Sequence, residues 1–226
     1  KSFLVSKKTY GSPRVFDDLV EWGFKISENT VAKYMKEMGL DARHKKKIRV
    51  MTTDSNHHNP IAARVFKTES IDTFPNKPGK VLAGDITYLK LGRKFIYLAV
   101  VMDLYSREII GWSMSRSLET KIILDAMDMA MHKVGPDAQI IFHSDRGSQY
   151  ASDAYRKFLK SKNIRPSMSR KGNCYDNAYV ESWFSSAPEL KTLVFEYIET
   201  WYNKRRKHSS LGNLSPEMYR KLKQSA

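Results

Sequence analysis

Between residues 80 and 169 the apolar positions fall into two periods, strand-like and helical, that alternate along the chain. KVLAGDITYL (80–89), FIYLAVVMD (95–103) and REIIGWSMS (107–115) read as strands, with a turn in KLGRK between the first two. ETKIILDAMDMAMHKV (119–134) places Ile122, Ile123, Ala126, Met129 and Ala130 on one side, as an amphipathic helix does. QIIFHSD (139–145) is a short buried strand, SDAYRKFLKSKN (152–163) a helix, IRPSMS (164–169) a fifth strand and NCYDNAYVESWF (173–184) a further helix. This order, a three-strand meander and then alternating helices and strands, predicts an α/β domain: a mixed five-stranded sheet flanked by helices. Further on, a helix entering WYNKRRKHSSLG is expected to turn Phe195, Ile198, Trp201 and Tyr202 inward and Lys204–Lys207 outward.

The first 42 residues carry a different pattern. YGSPRVFDDLVEWG sets Val15, Leu19 and Val20 at helical spacing. ISENTVAKYMKEMGL opens on an N-cap residue, Ser27 or Asn29, and runs Val31, Tyr34, Met35 and Met38 along one face until Gly39. Helix, turn at Gly23 and capped helix give the outline of a helix-turn-helix, an outline that many small helical hairpins share. Residues 43–79 read as a basic linker, beginning with the run RHKKKIR that contains Lys45, Lys46 and Lys47. Such a run is either a solvated connector or an arm that tracks phosphates. The chain thus divides into a helix-turn-helix-like domain over 1–42, a linker over 43–79 and a main domain over 80–226.

Composition changes the picture through charge. Lys and Arg number 39 against 24 Asp and Glu, a formal net charge of +15, which points to a polyanionic partner, nucleic acid above all. Hydrophobic residues make up 41% of the chain, enough for a core and against disorder. Cys174 is the single cysteine, so neither an internal disulfide nor a Cys-rich zinc cluster can form. No apolar stretch approaches the ~20 residues of a membrane span, and no signal peptide is present, so a cytoplasmic, nucleoid-associated protein is expected. The chain starts at Lys1 rather than Met, as a segment of a longer product would.

Three carboxylates stand out against this basic background. Asp85 shares a strand face with Val81 and Ala83, where an acid is costly unless paired or metal-bound. Asp145 closes the fourth strand before Arg146–Gly147, a place where α/β sheets gather ligands and where an Asx-turn is also natural. His143 has the same facing and reads either as a supporting residue behind the site or as a packed core histidine. Glu181 shares a helix face with Asn177, and by itself reads as an ordinary solvated glutamate. Taken together, hard oxygen ligands suit Mg²⁺ or Mn²⁺, and a pair of such ions serves phosphodiester chemistry without any side-chain nucleophile.

YGSPR, GDITYL, VVMDLYSREIIGWSMS, HSDRGSQY, SRKGNCYDNAYVESWF and YNKRRKHSSLGNLSPEMY resemble the corresponding segments of DDE transposases of the IS3 family of bacterial insertion sequences, in their OrfB-type catalytic part. The resemblance covers nearly the whole chain, and the 35 residues between Asp145 and Glu181 reproduce a spacing this family shares with retroviral integrases. It implies an RNase H-like catalytic domain with Asp85, Asp145 and Glu181 as ligands of Mg²⁺ or Mn²⁺, two ions in all. It implies nicking at element ends and transfer of the 3′-hydroxyl to target DNA, by a copy-out, paste-in route. It also implies double-stranded DNA partners (terminal inverted repeats and target), a homo-oligomer of at least two chains, and an upstream helix-turn-helix and leucine-zipper segment joined by frameshift.

Two features depart from that family's pattern. Leu82 stands near the place of a usual Trp before Asp85, and SSAPELKTLVFEYIETWYN after Phe184 is shorter than expected, with Pro188 set to interrupt a helix. DNA contacts are expected from Arg146, from the glycine loop Arg170, Lys171 and Asn173, and from Asn177. They are also expected from Lys45–Lys47 and from Lys204, Arg205, Arg206, Lys207 and His208, the last run being otherwise a solvated helix end. A nuclease that cuts without joining, or a silent DNA-binding repressor, are the alternative functions.

Overall fold

The computed structural model describes residues 2–6, 9–40, 60–63, 65, 75–91, 94–135, 139–169 and 194–224. The chain divides into two units, Lys1–Ile48 and Arg49–Ala226.

The first unit holds α1 (Ser2–Val5), α2 (Ser12–Glu21) and α3 (Glu28–Glu37). Pro13 opens α2, where its missing N–H costs nothing. Ser27 caps α3 by accepting from the Thr30 N–H at 3.2 Å. Phe3, Tyr10, Val15, Val31 and Met35 form the small core. Val20, Tyr34 and Met38, expected on the inner faces, are exposed: three short helices enclose only one narrow stripe each.

The second unit is built on a sheet of β1 (Val81–Leu91), β2 (Lys94–Asp103), β3 (Ile109–Ser115), β4 (Ile141–Ser144) and β5 (Arg165–Met168). Its order is β3-β2-β1-β4-β5. The first three strands are antiparallel, and β1, β4 and β5 are mutually parallel. This is the mixed five-stranded sheet that the order of elements predicts. α4 (Thr120–Val134) crosses between β3 and β4, and α5 (Asp153–Ser161) between β4 and β5.

Leu82, Ala99, Val101 and Ile110 of the sheet meet Ile122, Ile123, Ala126, Met127 and Ala130 of α4. Met127, not Met129, completes the inner stripe, a small departure from the expected phase. Gly111 lets α4 approach so closely that a Cβ there would lie 2.1 Å from the Ala126 carbonyl oxygen. The β2–β3 turn is organised by Asp103, 2% exposed, whose carboxylate accepts from the Gly79 and Ser106 backbone N–H groups and from the Ser106 hydroxyl at 2.7 Å.

The expected linker is not wholly outside this domain. Ala62 packs against the sheet core, and the Val65 N–H donates to Ser167 Oγ at 3.0 Å. Toward the C-terminus lie a π-helix (Glu196–Tyr202), a short α6 (Asn203–Arg205) and α7 (Pro216–Gln224). Asn203 acts as a partner for the edge of β3: its Oδ1 accepts from the Ile109 N–H and its Nδ2 donates to the Ile109 carbonyl, both at 2.9 Å. The Arg220 Nε of α7 reaches the buried Glu108 at 2.6 Å. Phe195, expected inward, is 51% exposed; Val194, Tyr197, Ile198, Trp201 and Tyr202 fill the interior instead.

Candidate active site

The site grows from two parallel neighbours. β1 and β4 pair at Val81↔Ile141, Leu82↔Phe142 and Ala83↔His143, and then part. Asp85 lies two residues beyond Ala83, and Asp145 two beyond His143. Parallel strands deliver both carboxylates to the same carboxyl-end edge, where open α/β sheets place ligands. Both line one small open cleft, with Ile86, Leu118, Gly147, Gln149 and Tyr150.

Backbone donors hold each carboxylate. Asp85 Oδ1 accepts from the Ile86 N–H at 2.8 Å, and Asp145 Oδ1 accepts from the Gly147 N–H at 2.9 Å. The second bond is an Asx-turn, so the turn and cleft readings of Asp145 hold together. Gly84 supplies the space beside Asp85: a Cβ there would lie 2.3 Å from Phe142 Cζ and 3.3 Å from the Tyr150 hydroxyl. Phe142, Tyr150 and Tyr155 pack ring against ring behind the cleft, with centroids 6.4, 6.1 and 5.5 Å apart. Burial, and then the charges of Asp85 and Asp145, push the Tyr150 phenol well above its ordinary range, so it stays a neutral hydroxyl in the wall of an acidic cleft.

The other candidate residues separate into groups. His143 is fully buried, and its Nδ1 pairs with Ser167 Oγ at 3.0 Å, the same oxygen that receives the Val65 N–H. It is a packed histidine behind Asp145. Arg146 folds back, its Nε donating to the Ser169 carbonyl at 2.8 Å, and so braces the end of β5. Lys204 and Arg205 are exposed. Arg206 and His208 correct the expectation of an outward basic run. Arg206 lies 5.6 Å from the Trp201 and Tyr202 ring centroids and donates to the Tyr197 hydroxyl, and His208 is buried with its ring 5.3 Å from Tyr202. Lys207 is half-buried. Glu181, Arg170, Lys171, Asn173, Asn177 and Lys45–Lys47 lie outside the described residues, as does the segment around Pro188.

Among the described residues no group of three His, Cys, Asp or Glu is placed to hold a metal ion. Asp85 and Asp145 offer a pair of hard oxygen donors on one cleft, a donor set that fits Mg²⁺ or Mn²⁺. Sequence reasoning did not single out Leu118, Gln149 and Tyr150 as cleft residues. Gln149 and Tyr150 lie in the HSDRGSQY run, four and five residues after Asp145, which is the signal that could have found them.

In this chain a mixed sheet of this order carries two acids where its central parallel strands part, and an integrase core model matches over that sheet. Residues 75–174 and 171–223 match two family models, each described as an integrase core domain, and residues 1–47 match an HTH-like domain. Transposase InsF for insertion sequence IS3A of Escherichia coli (strain K12) is 39% identical over 231 residues, covering 96% of this chain and 79% of that protein. The insertion element IS600 31 kDa protein of Shigella sonnei, described as uncharacterized, is 37% identical over 229 residues, covering 95% and 82%. The chain belongs to the IS3 family of insertion-sequence transposases. Among solved structures, the catalytic core domain of HTLV-2 integrase in complex with magnesium aligns with a TM-score of 0.47 at 18% identity, over 64% of this chain and 97% of that one. Among the described residues no helix is long and apolar enough to cross a membrane.

Proposed function

We propose that this transposase nicks DNA at insertion-sequence ends and joins the freed 3′-hydroxyl to target DNA by direct transesterification at Asp85, Asp145 and Glu181. The observation that carries this reading is the placement of Asp85 and Asp145 on one cleft, from two strands that part there. The two carboxylates, with Glu181 as a third donor, would hold divalent metal. Bound there, the metal would activate the attacking oxygen and stabilise the leaving one.

The chain's own part is to fix the acids. The Ile86 and Gly147 N–H groups orient one oxygen of each. Tyr150, Ile86 and Leu118 wall the cleft and limit water around the reacting phosphate. His143, the nearest histidine in sequence to Asp145, is buried and engaged with Ser167, so it does not serve as a general base in the cleft. The HTH-like region implies DNA binding, and we assign it the reading of element ends, with Lys204 and Arg205 contributing phosphate contacts.

The test is incubation of the chain with labelled element-end duplex and Mg²⁺. Nicked and joined products are expected from the wild type and neither from Asp85→Asn, Asp145→Asn or Glu181→Gln. Full activity in any of the three variants would remove that residue from the site. Nicks without joining would make the protein an endonuclease.

A further inference from the structure

β1 and β2 run on together past both of their neighbours. β4 pairs with β1 only over Val81–Ala83, and β3 pairs with β2 no nearer the turn than Tyr97↔Ser115. The β1–β2 ladder continues to Leu91↔Lys94. What remains is a two-stranded ribbon projecting from the sheet, an element that is marginal in water by itself.

Toward its end the ribbon carries an aromatic pair. The Tyr88 and Phe95 rings meet edge to face, with centroids 5.3 Å apart and planes at 84°. Phe95 is 48% exposed. The register Ile86↔Ala99, Tyr88↔Tyr97 and Lys90↔Phe95 puts these aromatics on the ribbon face that starts at Ile86, and Ile86 itself lines the Asp85 cleft. Lys90, Arg93 and Lys94 make the turn cationic in sequence. Lysines at a ribbon edge can serve only to discourage pairing with another strand. They do not account for an exposed phenylalanine set edge to face against a tyrosine on the strand that carries Asp85. An exposed π-face in a chain of net charge +15 offers the chemistry that holds single-stranded nucleic acid, phosphates by charge and unpaired bases by stacking.

We propose that the Tyr88–Phe95 tip is a stacking platform for an unpaired base of the DNA strand whose phosphate enters the Asp85–Asp145 cleft. The proposal rests on the function assigned to that cleft. It also carries a distance. Tyr88 is three residues from Asp85, roughly 10 Å along the strand, and the Lys90–Phe95 level is roughly 17 Å away at ~3.3 Å per residue. At ~3.4 Å per stacked base, the platform meets a base about three to five steps from the reacting phosphate.

The experiment measures equilibrium binding, in EDTA so that no chemistry occurs, of two oligonucleotide duplexes. One has a flush end and the other has its last five or so pairs mismatched. The wild type is expected to prefer the mismatched end by about 10-fold, within the range of one base–aromatic stack. Phe95→Ala is expected to lose that preference while keeping flush-end affinity and melting temperature, and Phe95→Tyr to retain it. An undiminished preference in Phe95→Ala overturns the platform, as does no preference in the wild type. A Phe95→Ala effect on self-association, seen by sedimentation without DNA, would make the tip an interface between copies and also overturn it. Cleavage by Asp145→Asn distinguishes the two readings. If that variant still cuts, the cleft assignment fails whatever Phe95 does; if it is dead and Phe95→Ala binds like the wild type, only the platform fails.

Discussion

Gly84→Ala tests whether the packing behind the cleft sets the position of Asp85. The new Cβ would sit 2.3 Å from Phe142 Cζ and 2.9 Å from Phe142 Cε1. Ordinary carbon contacts lie at about 3.5–4.0 Å, so more than about 1 Å of overlap must be relieved. Phe142 is 1% exposed and its ring is held against Tyr150 and Tyr155, so it has little room to swing. Strand β1 is paired with β2 at Gly84↔Val101, and its pairing with β4 ends one residue earlier, at Ala83↔His143. Overpacking of this kind costs roughly 2–3 kcal/mol, read as a shift in the urea midpoint at unchanged slope.

Part of the relief must come from β1 itself, which carries Asp85 away from Asp145. Metal-dependent nicking is therefore expected to fall by more than the loss of folded protein explains, tenfold or so for each ~1.4 kcal/mol of lost transition-state stabilisation. Adding Phe142→Leu should restore part of the stability by opening space at the ring position. A Gly84→Ala protein with a midpoint within about 0.5 kcal/mol of wild type and full nicking would refute the argument, because it would show that the wedge is soft.

Other parts of the fold carry three further expectations. Arg220→Ala leaves Glu108 buried without its cation and should cost about 3 kcal/mol in denaturant melts, whereas Arg220→Ala with Glu108→Gln should recover much of it. Replacing Lys204 and Arg205 together by alanine should lower the slope of log affinity against log salt by about 2 and leave the melting temperature unchanged; Arg206→Ala should instead destabilise, because its guanidinium lies against the Trp201 and Tyr202 rings and donates to the Tyr197 hydroxyl. Burial holds the Asp103 carboxyl above its usual value of 3.8, against the opposing pull of its Ser106 hydrogen bonds. The folded state then binds this proton more tightly than the unfolded state, so the contribution of Asp103 is most favourable below pH 3.8 and declines as pH rises through the folded value. Asp103→Asn should remove that decline from a pH series of urea midpoints.

The sheet was legible because its strands are apolar runs bounded by turn residues, and a meander with crossovers after it leaves few ways to order them. α4 was legible for the same reason, with its stripe displaced only from Met129 to Met127. Asp85 stood out as an acid on an apolar strand face and Asp145 as an acid where a strand ends before a glycine, and both line one cleft. That Gly84, Phe142 and Tyr150 form the backing of the cleft was not legible, since they meet only after β1 and β4 pair in parallel. The C-terminal stretch from Val194 misled where local pattern met tertiary closure. The wide π-helix takes Tyr197 inward and leaves Phe195 outside, and the bridge His208↔Leu214 folds the end of the basic run back into the core. Val65, in a segment without periodicity, docks through a hydrogen bond that no pattern announces.

Asn203 makes this part of the chain sensitive to gains in length rather than to losses. Its side chain stands in for a neighbouring strand at Ile109, and it comes directly after the seven-residue π-helix Glu196–Tyr202. A π-turn holds one residue more than an α-turn. Deleting one residue from it would let the helix close as α with Asn203 still near the strand edge, whereas a further inserted residue would advance the downstream residues by about 100° and sweep Asn203 off it. The stretch from Glu196 to Asn203 should thus tolerate the loss of one residue better than the gain of one.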